Sequence, residues 1–288
     1  MKKILIFGSS GMLGHVIYNY LDSLKKFKLY SSANQKKISK DTYLLDIRNQ
    51  AKVKDYIATI KPDYVINCAG LLISESENNI EDAILINSLF PNVLSRLGRK
   101  LNFKLIQIST DCVFSGKDGN YSEDSVQDGY SAYARTKTLG EINNNRDLTI
   151  RTSIIGPELK SDGVSLLNWF LNQKGEILGF DKTYWSGVTT LELAKAIEAF
   201  INQEITGICN FTSGKKISKY DLLLLIQKIW KKADVTITAD SNCVSDKSLC
   251  SIRSDFKYNL KGYEEMLTES YEWMIQNKTQ YHHYFNQS

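Results

Sequence analysis

Tyr133 and Lys137 stand four residues apart in "YARTKTLGE", so a helix over this stretch puts both side chains on one face. An ammonium beside a phenol lowers its pKa from about 10, which makes Tyr133 a usable proton donor or acceptor nearer neutral pH. No other tyrosine in the chain has a lysine at this offset. Upstream, the apolar run Leu105 to Ile108 feeds straight into a hydroxyl, a carboxylate and a thiol: Thr110, Asp111 and Cys112. Polar groups at a strand end either cap the following turn or face a ligand. A third pattern, "ILIFGSSGMLG", sets Gly8, Gly11 and Gly14 between an apolar run and a helix start. Glycine lets the chain turn tightly and lets backbone N–H groups approach a diphosphate, whose charge a helix N-terminus favours. A strand before and a helix after make this loop a nucleotide-cofactor site.

Short β-rich runs alternate with helical patterns over the first half of the chain. The strand candidates are 4–7, 28–31, 43–46, 64–68, 105–109 and 148–152, with helices expected at 12–21, 53–60, 80–97 and 132–142. That alternation predicts a doubly wound parallel sheet with helices on both faces, an architecture that binds ligands at the carboxyl ends of its strands. After residue 153 the pattern loosens into helices at 165–172, 191–201, 219–230 and 263–276, a short strand at 208–211 and a Gly/Asp/aromatic stretch at 175–187. The expected division is therefore a nucleotide-binding domain over 1–153, to which parts of 186–205 return, and a smaller, partly helical substrate lobe from 154–185 and 206–288.

With 288 residues, 42% of them apolar and 24% charged, the chain has the balance of an ordinary globular protein rather than a disordered one. Its net charge of +4 is spread along the sequence, so no basic block points to nucleic acid or a membrane surface. Five cysteines without CxxC spacing argue against a disulfide framework or zinc site. The apolar stretch after "MKK" stops at Gly8, too short for a signal-peptide core, and a cytoplasmic protein is expected. His15, His282 and His283 have no metal-ligand spacing, and the last two sit near a C-terminal tail expected to be mobile. No protein-built metal centre is expected.

Which dinucleotide binds depends on the second strand, where NAD-binding loops place an acidic residue for the ribose 2′-hydroxyl. Here "LYSSANQKK" offers Ser31, Ser32, Asn34, Lys36 and Lys37 and no carboxylate, which favours NADP(H) over NAD(H). Asp46, in "LLDIRN", either bonds an adenine amino group or caps a helix.

Taken together, these motifs resemble the extended short-chain dehydrogenase/reductase superfamily: the glycine triplet, "NCAG" at 67–70, a Ser/Thr ending the fifth strand, and YxxxK on the next helix. Within it the chain is similar to the dTDP-4-dehydrorhamnose reductase family through "ISTDCVF" (108–114), "YARTKTLGE" (133–141), "RTSIIG" (151–156) and "GVTTLELA" (187–194). The resemblance implies a Rossmann-type domain carrying a substrate lobe, and reduction of a nucleotide-linked 4-keto-6-deoxysugar for surface polysaccharide. It implies that Thr110 bonds the substrate carbonyl, that Tyr133 protonates it, and that Lys137 holds the nicotinamide ribose and lowers the Tyr133 pKa. The cofactor shell it implies runs through Gly8, Ser10, Gly11, Met12, Leu13 and Gly14, then Ser32, Asn34 and Lys36. Asp46, Ile47, Cys68, Ala69, Gly70, Asn87, Tyr133 and Lys137 complete it.

On the substrate side Asp111 and Cys112 are candidates, with Trp185 as an aromatic face and Arg253 as a fork of donors for a diphosphate. Cys112 replaces the tyrosine typical of the reductases and cannot act as the acid that related dehydratases carry there. It has no basic activator nearby in sequence, so packing is its expected role. Two other readings stay open: a sugar-nucleotide epimerase that recycles its cofactor, and a non-catalytic NADP-binding regulatory subunit like that of methionine adenosyltransferase. A homodimer is one assembly the reading allows.

Overall fold

A computed structural model describes residues 1–285. Five apolar segments begin the chain's parallel sheet: β1 (Lys3–Phe7), β2 (Lys28–Ala33), β3 (Tyr43–Leu44), β4 (Tyr64–Asn67) and β5 (Lys104–Ile108). Between them run α1 (Gly14–Leu24), α2 (Gln50–Ile60), the short α3 (Ile73–Asn78) and α4 (Ile80–Ala83), and α5 (Phe90–Leu101). A π-helical turn, Ile84–Leu89, joins α4 to α5. Then come α6 (Ala132–Leu139), β6 (Leu148–Arg151), β7 (Ile154–Ile155), α7 (Leu166–Leu171), β8 (Gly175–Phe180), β9 (Thr183–Trp185) and β10 (Val188–Thr189). The last elements are α8 (Thr190–Gln203), β11 (Gly207–Asn210), β12 (Ile217–Ser218), α9 (Lys219–Trp230), β13 (Val235–Asp240), β14 (Ser245–Asp246) and α10 (Tyr263–Gln276).

Seven strands form one parallel sheet in the order β11-β6-β5-β4-β1-β2-β3. The order reverses between β1 and β4, which opens a crevice at their carboxyl ends. Both faces are covered, as near-continuous apolar strands require. On one face Ile17 and Leu21 of α1 meet Ile197 and Phe200 of α8 over Ile4, Ile6 and Ile150. On the other, Val53 and Ile57 of α2 and Phe90 and Leu94 of α5 pack on Leu5, Phe7 and Leu105.

β11 joins this sheet although its residues were expected in the lobe. Its backbone pairs with β6 from Gly207 to Asn210, and Cys209 and Phe211 pack in the sheet core. The stretch at 175–187 is likewise more regular than its composition suggests, because β8 pairs with β13 and β9 with both β12 and β14. These small sheets, α7, α9 and α10 enclose a separate core around Phe170, Leu222, Ile226 and Leu267. Residues 245–250 run beside the loop that follows β5: Tyr121 N–H donates to the Ser248 carbonyl at 2.8 Å and Asp246 N–H to the Gly116 carbonyl at 2.7 Å.

A buried ion pair fastens the carboxyl edge of the sheet. Arg151, wholly buried at the end of β6, donates from Nη2 and Nε to the Glu141 carboxylate at 2.7 and 2.9 Å. Ser109, at the end of β5, donates to the same carboxylate at 2.7 Å and Gln127 at 3.2 Å, while Arg151 Nη1 reaches the Glu123 carbonyl at 3.1 Å. The guanidinium also lies 5.3 Å from the centre of the Phe114 ring. Removing one partner would strand a buried charge. Glu141→Gln should therefore lower unfolding stability by about 3–5 kcal/mol in urea titrations; a loss below about 1 kcal/mol would give the pair no more weight than a surface contact.

Candidate functional site

The glycine loop is built by steric necessity. Gly8 has φ +72°, and a Cβ there would stand 2.6 Å from Ala69 N, so the β1 and β4 ends touch backbone to backbone. A Cβ on Gly14 would sit 2.2 Å from the Gly8 carbonyl oxygen, which lets α1 start directly against the turn. Ser9 N–H donates to the Ser32 carbonyl at 3.0 Å and fixes the loop to β2.

A cleft of about 330 Å³ opens at the switch point. Of the residues expected around a dinucleotide, Gly8, Ser10, Gly11, Ser32, Asn34, Asp46, Ile47, Cys68, Ala69 and Gly70 line it. The Ser32 hydroxyl is buried and has no hydrogen-bond partner within the protein. An orphaned donor in the wall, together with a turn too tight for any Cβ, fits a nucleotide whose ribose or phosphate completes that bond.

Other expected contacts lie elsewhere. Leu13 is buried in the sheet core and Gly14 packs on Gly8, so neither offers the cleft a side chain; Met12 is half-buried and Lys36 exposed, both outside the lining. Ser31 is engaged by the Thr42 hydroxyl at 3.0 Å. Asn87 sits in the π-helical turn, fully occupied in joining the loop after β4 to α6: it accepts from Leu71 N–H at 2.9 Å and donates to the Leu71 carbonyl, Ser76 and Thr136. Asp46 does not cap α2, which Asn49 does by accepting from Lys52 N–H. Instead Arg48 clamps the Asp46 carboxylate at 2.7 Å and Asp82 at 2.9 Å, holding Asp46 well below the usual carboxylate range. Arg48, two residues past Asp46 in "LLDIRN", and Asp82, which stands in no motif, also line the cleft.

Thr110, Tyr133 and Lys137 converge at the end of β5. Thr110 begins a one-turn 3-10 helix, Asp111–Val113, by accepting from Cys112 N–H at 3.1 Å, and donates to Asp111 at 3.2 Å. Ser131 caps α6 through Ala134 N–H and so presents Tyr133 to Thr110. Lys137 Nζ donates to the Ile108 carbonyl at 2.7 Å and lies 4.0 Å from the Cβ position of Gly70, at the cleft wall. The same carbonyl accepts from Gln107, which in turn accepts from Asn67 at 2.7 Å, tying β4, β5 and α6 into one buried chain.

Burial dominates the electrostatics here. It pushes the Lys137 ammonium down to about 8, with Glu141 and Cys68 drawing it back up. The Tyr133 phenol goes the opposite way from the sequence expectation: burial and the neighbouring Cys112 and Asp111 raise it above its ordinary value, and only the Thr110 hydroxyl lowers it. Lys137 does not depress it, since its ammonium is turned to the Ile108 carbonyl. Asp111, buried beside Thr110 and Ser153, is also raised by burial, against the pull of Lys247.

Lys247 was not visible in any motif. The lobe brings its Nζ to 3.6 Å from Cys112 Sγ, so the thiol has a cationic neighbour 135 residues away in sequence. Burial and Asp111 outweigh that cation and push Cys112 up to about 11. Trp185 and Arg253, expected on the substrate side, are both engaged within the protein. Trp185 is buried in the lobe core, 5.7 Å from the Tyr263 ring. Arg253 binds Asp255 and the carbonyls of Thr206 and Ile208, at the opposite end of β11 from the cleft. Among the described residues no group of three or more His, Cys, Asp and Glu side chains is placed to hold a metal ion, and no helix is long and apolar enough to cross a membrane.

A protonated thiol reacts slowly. At pH 7.5 Cys112 should alkylate with iodoacetamide at least about a hundredfold more slowly than an exposed cysteine, followed by peptide mass spectrometry. Labelling at the rate of free cysteine would mean that Lys247 activates it.

The chain matches a family model described as "RmlD substrate binding domain" over residues 1–248. It is similar to the dTDP-4-keto-6-deoxy-D-glucose reductase of Streptomyces niveus, 26% identical over 228 residues that cover 76% of this chain and 75% of that protein. It is also similar to methionine adenosyltransferase 2 subunit beta of Xenopus tropicalis, 26% identical over 239 residues, 77% of this chain and 70% of that one. A crystal structure of dTDP-4-dehydrorhamnose reductase from Bacillus anthracis in complex with NADP shares the fold, with a TM-score of 0.79, 21% identity, and coverage of 95% of this chain and 99% of that one.

Proposed function

We propose, from the premise that this chain belongs to the RmlD substrate binding domain family, that it is an NADPH-dependent reductase of a nucleotide-linked 4-keto-6-deoxysugar. The observation that carries this reading is the convergence of Tyr133, Thr110 and Lys137 beside a cleft whose wall is the glycine loop and the β4 end. The names of two relatives, a sugar-nucleotide reductase and a reductase bound to NADP, support it.

The glycine loop and the Ser32 hydroxyl would hold the cofactor, which supplies the hydride. Thr110 bonds the ketone oxygen and fixes its position. Tyr133 gives that oxygen its proton; a phenol held above its ordinary pKa is protonated at neutral pH and ready to donate. Lys137, at the end of the cleft wall, bonds the ribose next to the nicotinamide. Ser32 and Asn34 without a carboxylate on β2 favour the 2′-phosphorylated cofactor. Cys112 in place of an acid argues against dehydration.

The likeness to a methionine adenosyltransferase beta subunit favours a second reading, a regulatory subunit that binds the cofactor without turning it over. Loss of reduced-nicotinamide absorbance with NADPH and dTDP-, UDP- or GDP-linked 4-ketosugars separates the two. Turnover with one nucleotide class, reduced at least about a hundredfold in Tyr133→Phe while NADPH still binds, is the expected result. Tight NADPH binding without turnover on the whole panel would favour the regulatory subunit.

The buried lysine sets a pH limit. Lys137 is charged below about 8 and neutral above it, so NADPH affinity should fall as pH rises through about 8. Lys137→Met should flatten that fall in fluorescence titrations, and an unchanged profile would remove Lys137 from the cofactor site.

A further inference from the structure

His15 lies in the first turn of α1, one residue past the glycine loop, and is wholly buried with both ring nitrogens engaged. Nδ1 stands 2.8 Å from the Gly11 carbonyl. A carbonyl can only accept, so Nδ1 carries the proton and Nε2 is the acceptor. The group facing Nε2 at 2.9 Å is the hydroxyl of Tyr281, which therefore donates. Tyr281 comes from the far end of the chain, 266 residues away, and is itself wholly buried. Burial pushes its phenol up to about 12 and His15 down to about 4, so through the neutral range both groups keep these protonation states.

The segment that carries Tyr281 is docked, contrary to the mobile tail expected from sequence; residues 286–288 lie outside the described chain. Asn19 donates to Gln280 at 2.9 Å, and Glu158 N–H donates to the Tyr284 hydroxyl at 3.0 Å. Glu158 also accepts from Ser165 N–H at 2.9 Å, so the segment bridges α1 and the loop after β7. Lys36 is close enough to His283 to lower its pKa, which brings this segment near the loop after β2 as well. The segment itself, residues 280–285, lies beyond residue 248, where the family match ends.

We infer that Tyr281 is a positioning residue for the dinucleotide: acting through His15, it holds the Gly11 carbonyl against α1, so that the glycine-loop N–H groups stay turned to the diphosphate. The relay runs from the Tyr281 hydroxyl to His15 Nε2, and from His15 Nδ1–H to the Gly11 carbonyl. Gly11 N–H donates to the Gly8 carbonyl at 3.0 Å, so a shift at Gly11 is felt throughout the turn. The inference rests on the proposed reading of this loop as a cofactor site. It adds that the segment carrying Tyr281 supports that site without touching it.

NADPH and NADH titrations of the wild type, Tyr281→Phe, His15→Leu and the double variant, followed by protein fluorescence, test it. Each single variant should weaken both dinucleotides about tenfold, the effect of one lost buried hydrogen bond. The double variant should lose little more than either, because both break one relay. The loss should be equal for the two dinucleotides, since the diphosphate is common to them. Undiminished affinity in Tyr281→Phe, losses that multiply in the double variant, or a loss confined to NADPH would overturn the inference, the last because it would place the effect at the 2′-phosphate side near Lys36. A wild type that binds neither dinucleotide would instead sink the cofactor reading, and this inference with it.

Discussion

The Glu141–Arg151 pair is the constraint on which the reacting end of the molecule depends. Two buried charges are expensive to desolvate, and further partners offset that cost: Ser109, Gln127, the Glu123 carbonyl and the Phe114 ring. Those partners come from the end of β5, the loop beyond it, the exit of α6 and the end of β6. Ser109 adjoins Thr110, and Glu141 follows Lys137 by a little over one helical turn. The geometry of the three chemical side chains is thus inherited from an ion pair that does no chemistry. Interaction with Glu141 also favours the charged form of Lys137, against the burial that works to neutralise it.

The site is dry rather than ionic. Tyr133, Asp111, Cys112 and Cys68 are all driven toward their neutral forms by burial, and Lys137 toward its own. In such a setting a proton moves only when a partner arrives to receive it. That arrangement suits a donor that must wait for an oxygen to become basic, and it leaves the thiol at Cys112 as packing in spite of the lysine beside it.

Features set by local backbone chemistry were legible in the sequence. Gly8, Gly11 and Gly14 announce a tight turn, closed to a Cβ at Gly8 and Gly14, the β-branched runs announce strands, and the four-residue spacing of Tyr133 and Lys137 announces a shared helix face. What failed depended on who the tertiary neighbours are. Trp185 looked like a stacking platform, but it packs in the lobe core against Tyr263; Arg253 looked like a diphosphate fork, but Asp255 two residues on already occupies it. The raised Tyr133 pKa reversed the expectation because the spacing that puts Lys137 on the same face does not say which oxygen its ammonium will choose. Lys247 and Tyr281 could not be found at all from local pattern, since each meets its partner across most of the chain.

The place of β11 has a consequence for how the protein comes to be made. β6 is an inner strand of the finished sheet, yet its outer neighbour is not synthesised until the ribosome has passed through β7, α7, β8, β9, β10 and α8. Until then the nascent chain carries an unpaired edge at Leu148–Arg151, and the sheet face that α8 will cover stays bare. α8 emerges first to cover the face, and Gly207–Asn210 then closes the edge. The first half of the chain can therefore assemble its glycine loop early, while its β6 edge closes only when the later strand arrives.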